Sequence, residues 1–147
     1  MSEEVGRIAT ILATLSEDGS VEPGPVRHEG PGEIKAATVR ALIRARRLRD
    51  RYFRSELFAD PAWDMLLDLM AARLEKKRVA VSSLCIAAAV PATTALRWIK
   101  TLTDEGMFVR VADPKDGRRV FIELSDPAAA QLGAYLQERQ RAAPFDL

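Results

Sequence analysis

One cysteine and one histidine are all that 147 residues contain of either type. Cys85 alone cannot form an intrachain disulfide, and without a C-x-x-C pair or a Cys/His cluster the chain has no ligand set for structural zinc. That cysteine usage suits a reducing cytoplasm. Long apolar runs are missing too. The stretch from Ile8 to Leu15 is far short of the roughly 20 residues that a membrane span needs, and it lacks a basic leader and a small-residue cleavage site, so neither a transmembrane helix nor a signal peptide is expected. There is no Gly-rich phosphate loop and no nucleophile elbow, and Cys85 and His28 lie on segments of different character. The reading is a non-enzyme without a cofactor. Asp64 and Asp68 share a helix face beside core positions, where they are expected to flank Arg or Lys at the surface.

A chain of this length with 48% apolar residues is enough for one ordinary domain and one core. Its formal charge of +1 conceals an asymmetry. Up to Ile34 the sequence carries Glu3, Glu4, Glu17, Asp18, Glu22, Glu29 and Glu33 against Arg7 and Arg27. From Lys35 to Arg54 the sign reverses, with Asp50 alone opposing a series of arginines.

Residues 16–32 are rich in Gly, Pro, Ser and Glu and have no apolar period, so residues 1–32 read as an acidic, partly disordered segment before a domain over 33–141 and a short tail over 142–147. Within the first segment Val5, Ile8, Ile11, Leu12 and Leu15 fall at helical spacing, either a docking helix or a frayed tail. In the domain, Ile34, Ala37, Ala41, Ala45, Leu48 and Tyr52 predict a first helix over Glu33 to Phe53 with a narrow apolar stripe. Asp60 and Pro61 open a second helix whose face is Trp63, Leu66, Leu67, Met70 and Leu74, ending near the basic run Lys76, Lys77, Arg78. Val79 to Val81 is a short β-prone link, and Ser82 is the expected N-cap of a brief helix running to about Ala88.

A further helix is predicted over 91–105, with Pro91 in its first turn and Gly106 just past its end. Ala95, Trp98, Ile99 and Leu102 take the buried side by spacing, which leaves Ala92, Thr93, Leu96, Arg97 and Lys100 on the other, with Thr94 at its edge. Phe108 to Val111 and Val120 to Leu124 read as strands around the turn residues Asp113, Pro114, Lys115, Asp116 and Gly117. Ser125 or Asp126 then caps a last helix with Leu132, Tyr135 and Leu136 as a thin apolar face. Helix, turn, helix and charged hairpin in this order make a mostly α (α+β) winged helix-turn-helix with a two-stranded wing and flanking helices. The exposed helix face suits duplex DNA: Arg97 for guanine O6 and N7, Thr93 for a base or phosphate, Ala92 and Leu96 for thymine methyls, and Lys100 for phosphate. Lys115, Arg118 and Arg119 gather at the wing, where Asp116 is placed to orient Arg118.

The segment SLCIAAAVPATTALRWIKTLTDEGMFVR, followed by DPKDGRRVFIELSD, resembles the MarR-type winged-helix regulators, a bacterial family of dimeric transcription factors, over about a third of the chain. Leu84, Thr93, Thr94, Arg97, Leu102, Gly106, Asp116 and Arg118 occupy the positions of that family's pattern, with Leu84 opening the first helix of the motif, and Ser82 at the start of that helix is a further candidate DNA contact. The resemblance implies a homodimer that binds a pseudo-palindromic duplex with helix 91–105 and wing 112–120 and represses transcription. It also implies a small-molecule effector, which no residue here identifies. Pro91 stands where the family has a polar N-cap and Leu96 where it commonly has threonine, so base preference need not follow a relative.

Plainer readings accompany these. A winged helix can scaffold a protein-interaction adaptor, with the acidic segment or the arginine helix engaging the partner. Arg40, Arg44, Arg47 and Arg51 are read more simply as a solvated face than as phosphate contacts. Trp98 is read as core, His28 as without a role, and Cys85 as a buried inert thiol in preference to an oxidant sensor.

Overall fold

The computed structural model describes residues 34–143. The acidic segment and the final four residues, with the expectations that fall on them, lie outside the described residues. The chain divides into two compact units, residues 35–129 and a second to which Ile34 and residues 130–143 belong.

In the first unit, α1 (Ala36–Leu48) runs into a 3₁₀ turn (Arg49–Arg51) and, after a second one (Ser55–Phe58), α2 (Pro61–Glu75) begins. The single helix expected over Glu33 to Phe53 is therefore shorter. Its buried face is also turned: Val39 and Ala41 are buried, whereas Ala37, Ala45, Leu48 and Tyr52 are exposed. The cause is charge pairing with α2. Arg40 reaches Asp68 at 3.1 Å and Glu75 at 3.1 Å, and Arg46 and Arg47 both grip Asp64, the latter at 3.0 Å. Three of the arginines thus lie between the helices, and Asp64, far from flanking the surface, is only 6% exposed.

Helix α2 is covered on more sides than its expected stripe. Met65, Leu67, Leu69, Met70, Ala71 and Ala72 are buried, while Leu74 is exposed. A helix apolar on most of its circumference belongs between layers, here α1 on one side and the remaining elements on the other. Pro61 occupies its first turn, and Lys76, in the left-handed region at φ 60°, closes it with the Lys77 amide donating to the Ala72 carbonyl at 2.9 Å.

The rest of this unit follows as β1 (Val79–Ala80), α3 (Val81–Ala87), α4 (Ala92–Asp104), β2 (Phe108–Ala112) and β3 (Val120–Leu124). The sheet has three antiparallel strands in the order β1-β3-β2, with Phe108 opposite Leu124, Ala112 opposite Val120 and Val79 opposite Ile122. The short link before α3 therefore joins the two wing strands. Leu84, Ala95, Ile99, Leu102, Phe108, Ile122 and Leu124 complete the core with the α2 side chains.

The last helix, α5 (Asp126–Ala142), starts in this unit, where the Ser125 hydroxyl accepts the Ala128 amide at 3.2 Å. In the second unit its Leu132 and Leu136 are buried and Tyr135 is half exposed.

Candidate nucleic-acid interface

Helices α3 and α4 are joined by a tight turn in which Ala89 adopts φ 58°, a left-handed conformation that costs a residue with a Cβ roughly 1–2 kcal/mol. Ala80 sits at the N-cap of α3, not Ser82, which is exposed in the first turn. Pro91 likewise takes the N-cap of α4, which begins one residue after the expected start, because the Pro91 ψ of 148° is extended. At the other end Gly106 has φ 83°, its amide donates to the Thr103 carbonyl at 3.0 Å, and that of Met107 donates to Leu102 at 2.9 Å. These paired bonds satisfy the last carbonyls and turn the chain into β2.

With both ends held, α4 buries Ala95, Ile99 and Leu102 and exposes Ala92, Thr93, Leu96, Arg97 and Lys100, with Thr94 half-buried. Trp98 departs from expectation. It is 38% exposed, because it lies on the shoulder of the narrow stripe formed by Ala95, Ile99 and Leu102. The exposed side groups differ in charge state: Lys100 is tied to Asp104 at 2.8 Å one turn on, whereas Arg97 has no carboxylate within reach among the described residues. Ile86, on α3, is 81% exposed, an apolar side chain on the helix-turn-helix surface that its residue spacing did not single out.

The hairpin between β2 and β3 is held by its own aspartates. Asp113 Oδ1 accepts the Lys115 amide at 2.8 Å, and Asp116 Oδ1 accepts the Arg118 amide at 3.1 Å. The same Asp116 oxygen lies 3.4 Å from Arg118 Nε, while the Arg118 side chain stays 93% exposed. Lys115, Arg118 and Arg119 are all exposed on this turn or at its edge. Behind them, Arg119 and Arg78 both stand over the ring of Phe121, at 5.2 Å and 5.3 Å from its centroid. Arg78 was assigned by sequence to the end of a helix. It lies just ahead of β1, a strand marked in the sequence only by the apolar residues that form it.

No group of three or more His, Cys, Asp or Glu suited to a metal occurs among the described residues, and none of their helices alone is long and apolar enough to cross a membrane. Cys85 is half-buried, and burial pushes its thiol pKa up. A thiol shifted that way is protonated at neutral pH and has no enhanced reactivity.

Residues 65–128 match the winged helix DNA-binding domain family. No curated protein sequence shows a significant match. Among solved structures, the chain is similar to a probable transcriptional regulator from Pseudomonas aeruginosa, with 31% identity, 58% of this chain and 65% of that one covered, and a TM-score of 0.42. It is also similar to a MepR mutant from a multidrug-resistant S. aureus clinical isolate, with 16% identity, coverage of 58% and 64%, and a TM-score of 0.47. For a transcriptional regulator from Thermotoga maritima the values are 17% identity, 71% of both chains and 0.47. The chain spans just under two thirds of the length of the first two.

Proposed function

We propose that the chain, whose residues 65–128 match the winged helix DNA-binding domain family, is a MarR-like, cytoplasmic, sequence-specific DNA-binding regulator acting as a homodimeric repressor. In this reading each α4 lies in a major groove of a pseudo-palindromic duplex, with the wing over 112–120 alongside. The functional domain is 33–141, flanked by the acidic segment and the short tail. Arg97 pairs with a guanine, Thr93 and Thr94 contact base or phosphate, Ala92 and Leu96 meet thymine methyls, and Ser82, Lys100, Lys115, Arg118 and Arg119 face the backbone.

One observation carries the reading. Arg97 stands on the exposed face of a helix fixed at both ends and has no acidic partner among the described residues, whereas Arg40, Arg46 and Arg47 are consumed by carboxylates inside the fold. An unpaired guanidinium on a rigid helix is what bidentate recognition of guanine needs. Support for a dimer comes from Leu48, Tyr52, Phe53, Leu57 and Phe58, all exposed around the end of α1, an apolar surface of the kind that a second copy covers.

The test is fluorescence anisotropy on duplexes from upstream of the coding sequence and on shuffled controls. Tight binding to one fragment, weakened by about 1–3 kcal/mol in Arg97→Ala, supports the regulator. Salt-insensitive association with a protein and none with duplex DNA supports an adaptor instead.

A further inference from the structure

Strand β3 breaks the alternation that a one-sided sheet should show. Ile122 faces the core and is 1% exposed, yet its neighbour Phe121, which points to the opposite face, is only 8% exposed. What covers Phe121 is charge. Arg119 lies two residues before it, just ahead of β3, and Arg78 lies two residues before Ala80, the register partner of Phe121 on β1. The guanidinium carbons of both converge on the one ring from the segments that lead into β1 and β3, at 5.3 Å and 5.2 Å. Planar guanidiniums over a ring keep N–H groups free for an acceptor.

Several other arginines have acidic partners among the described residues. Arg73 meets Asp126 at 3.0 Å, Arg118 meets Asp116 at 3.4 Å, and the α1 arginines meet the acids of α2. Among the described residues no carboxylate lies within 4.0 Å of Arg78 or Arg119, although Glu123 is exposed on β3. Two like charges gathered over one apolar ring repel each other, and an anion seated between them relieves the repulsion. The sheet that holds them carries the wing at its end, and Arg119 is the first residue after the wing turn to bond back across the hairpin, its carbonyl accepting the Asp113 amide at 3.0 Å.

We propose that Arg78 and Arg119, held together over Phe121, form a binding site for a phosphate of the DNA backbone beside the wing, which makes Arg78 a DNA contact outside both the recognition helix and the wing turn. This rests on the DNA-binding reading above. The contact is independent of base identity: it fixes the wing sheet against one strand and adds to the salt dependence of binding.

The experiment measures affinity of the full chain for a random-sequence DNA duplex long enough for two half-sites, across a range of salt concentrations. Arg78→Gln should weaken binding about threefold to tenfold and lower the slope of log K against log salt by about one, whereas Arg78→Lys should keep the slope. Melting temperature is read in parallel. Should the Gln variant melt early, Arg78→Met, which keeps apolar cover on the ring, gives the same readout. Unchanged affinity and slope in the neutral variants, with wild type binding and Arg97→Ala impaired on the upstream fragment that wild type prefers, overturns this site and leaves the regulator intact. Wild-type protein that binds no duplex at low salt overturns both.

Discussion

Arg40 meets Glu75 through two parallel hydrogen bonds, Nε to Oε2 at 3.2 Å and Nη2 to Oε1 at 3.1 Å, while its remaining amino group donates to Asp68 at 3.1 Å. A planar guanidinium fits a carboxylate in this two-point geometry, so α1 is fixed in both position and rotation against α2.

Hydrogen bonding to Arg40 is the largest cause holding the Glu75 carboxyl below its ordinary range. A depressed carboxyl stabilises the fold fully above its unfolded value, about 4.3, and loses that contribution as pH falls through the folded value. Between about pH 5 and about pH 3, the melting temperature of the wild type should therefore drop more steeply than that of Glu75→Gln. Parallel thermal melts check this. Equal slopes would mean that the Arg40 pair adds nothing.

Asp64 bears the heavier consequence, because it is buried and, among the described residues, is the only carboxylate that pairs with Arg46, itself 14% exposed at its side chain. Asp64→Ala leaves a half-dry guanidinium without a counter-charge, and breaking a buried pair from one side costs about 3 kcal/mol. Urea denaturation should show that loss with an unchanged m-value. A cost under about 1 kcal/mol would mean that water replaces the carboxylate.

These pairs also explain which parts of the molecule were legible in sequence. The wing strands were, since runs of β-branched and aromatic residues flank the turn residues Asp113, Pro114 and Gly117, and so was α4, bracketed by Pro91 and Gly106. The orientation of α1 was not. Its stripe rested on alanines, which are weak markers of burial, and the groups that decide its rotation, Asp64, Asp68 and Glu75, lie on another helix where periodicity cannot see them. Trp98 failed for a related reason: spacing placed it among core residues, but a stripe only three residues wide leaves its shoulder in water. The winged-helix frame of the interface was legible, but the Arg78–Phe121–Arg119 cluster needs the register of β1 on β3.

Ala89 holds φ 58° in the turn between α3 and α4, where a Cβ strains the backbone. Ala89→Gly removes the strain and gives back part of the gain as unfolded-chain entropy, so a net stabilisation of about 0.5–1 kcal/mol is expected. Chemical denaturation measures it. A destabilised variant would show that the methyl group is a packing contact whose value exceeds the strain.

Asp116 separates geometry from charge at the wing. As an acidic residue between Lys115 and Arg118 it repels phosphate, so on charge alone any neutral replacement should tighten DNA binding. As the acceptor for the Arg118 amide at 3.1 Å it shapes the turn that presents both cations, so its loss should weaken binding. Asn retains the side-chain oxygen that caps such a turn, and Ala does not. Asp116→Asn should therefore bind duplex DNA at least as tightly as wild type, whereas Asp116→Ala should lose about 1 kcal/mol of affinity, the worth of one hydrogen bond at an exposed turn. Anisotropy titrations of the two variants at matched salt decide it. Tighter binding by both would reduce Asp116 to a stray negative charge beside the interface.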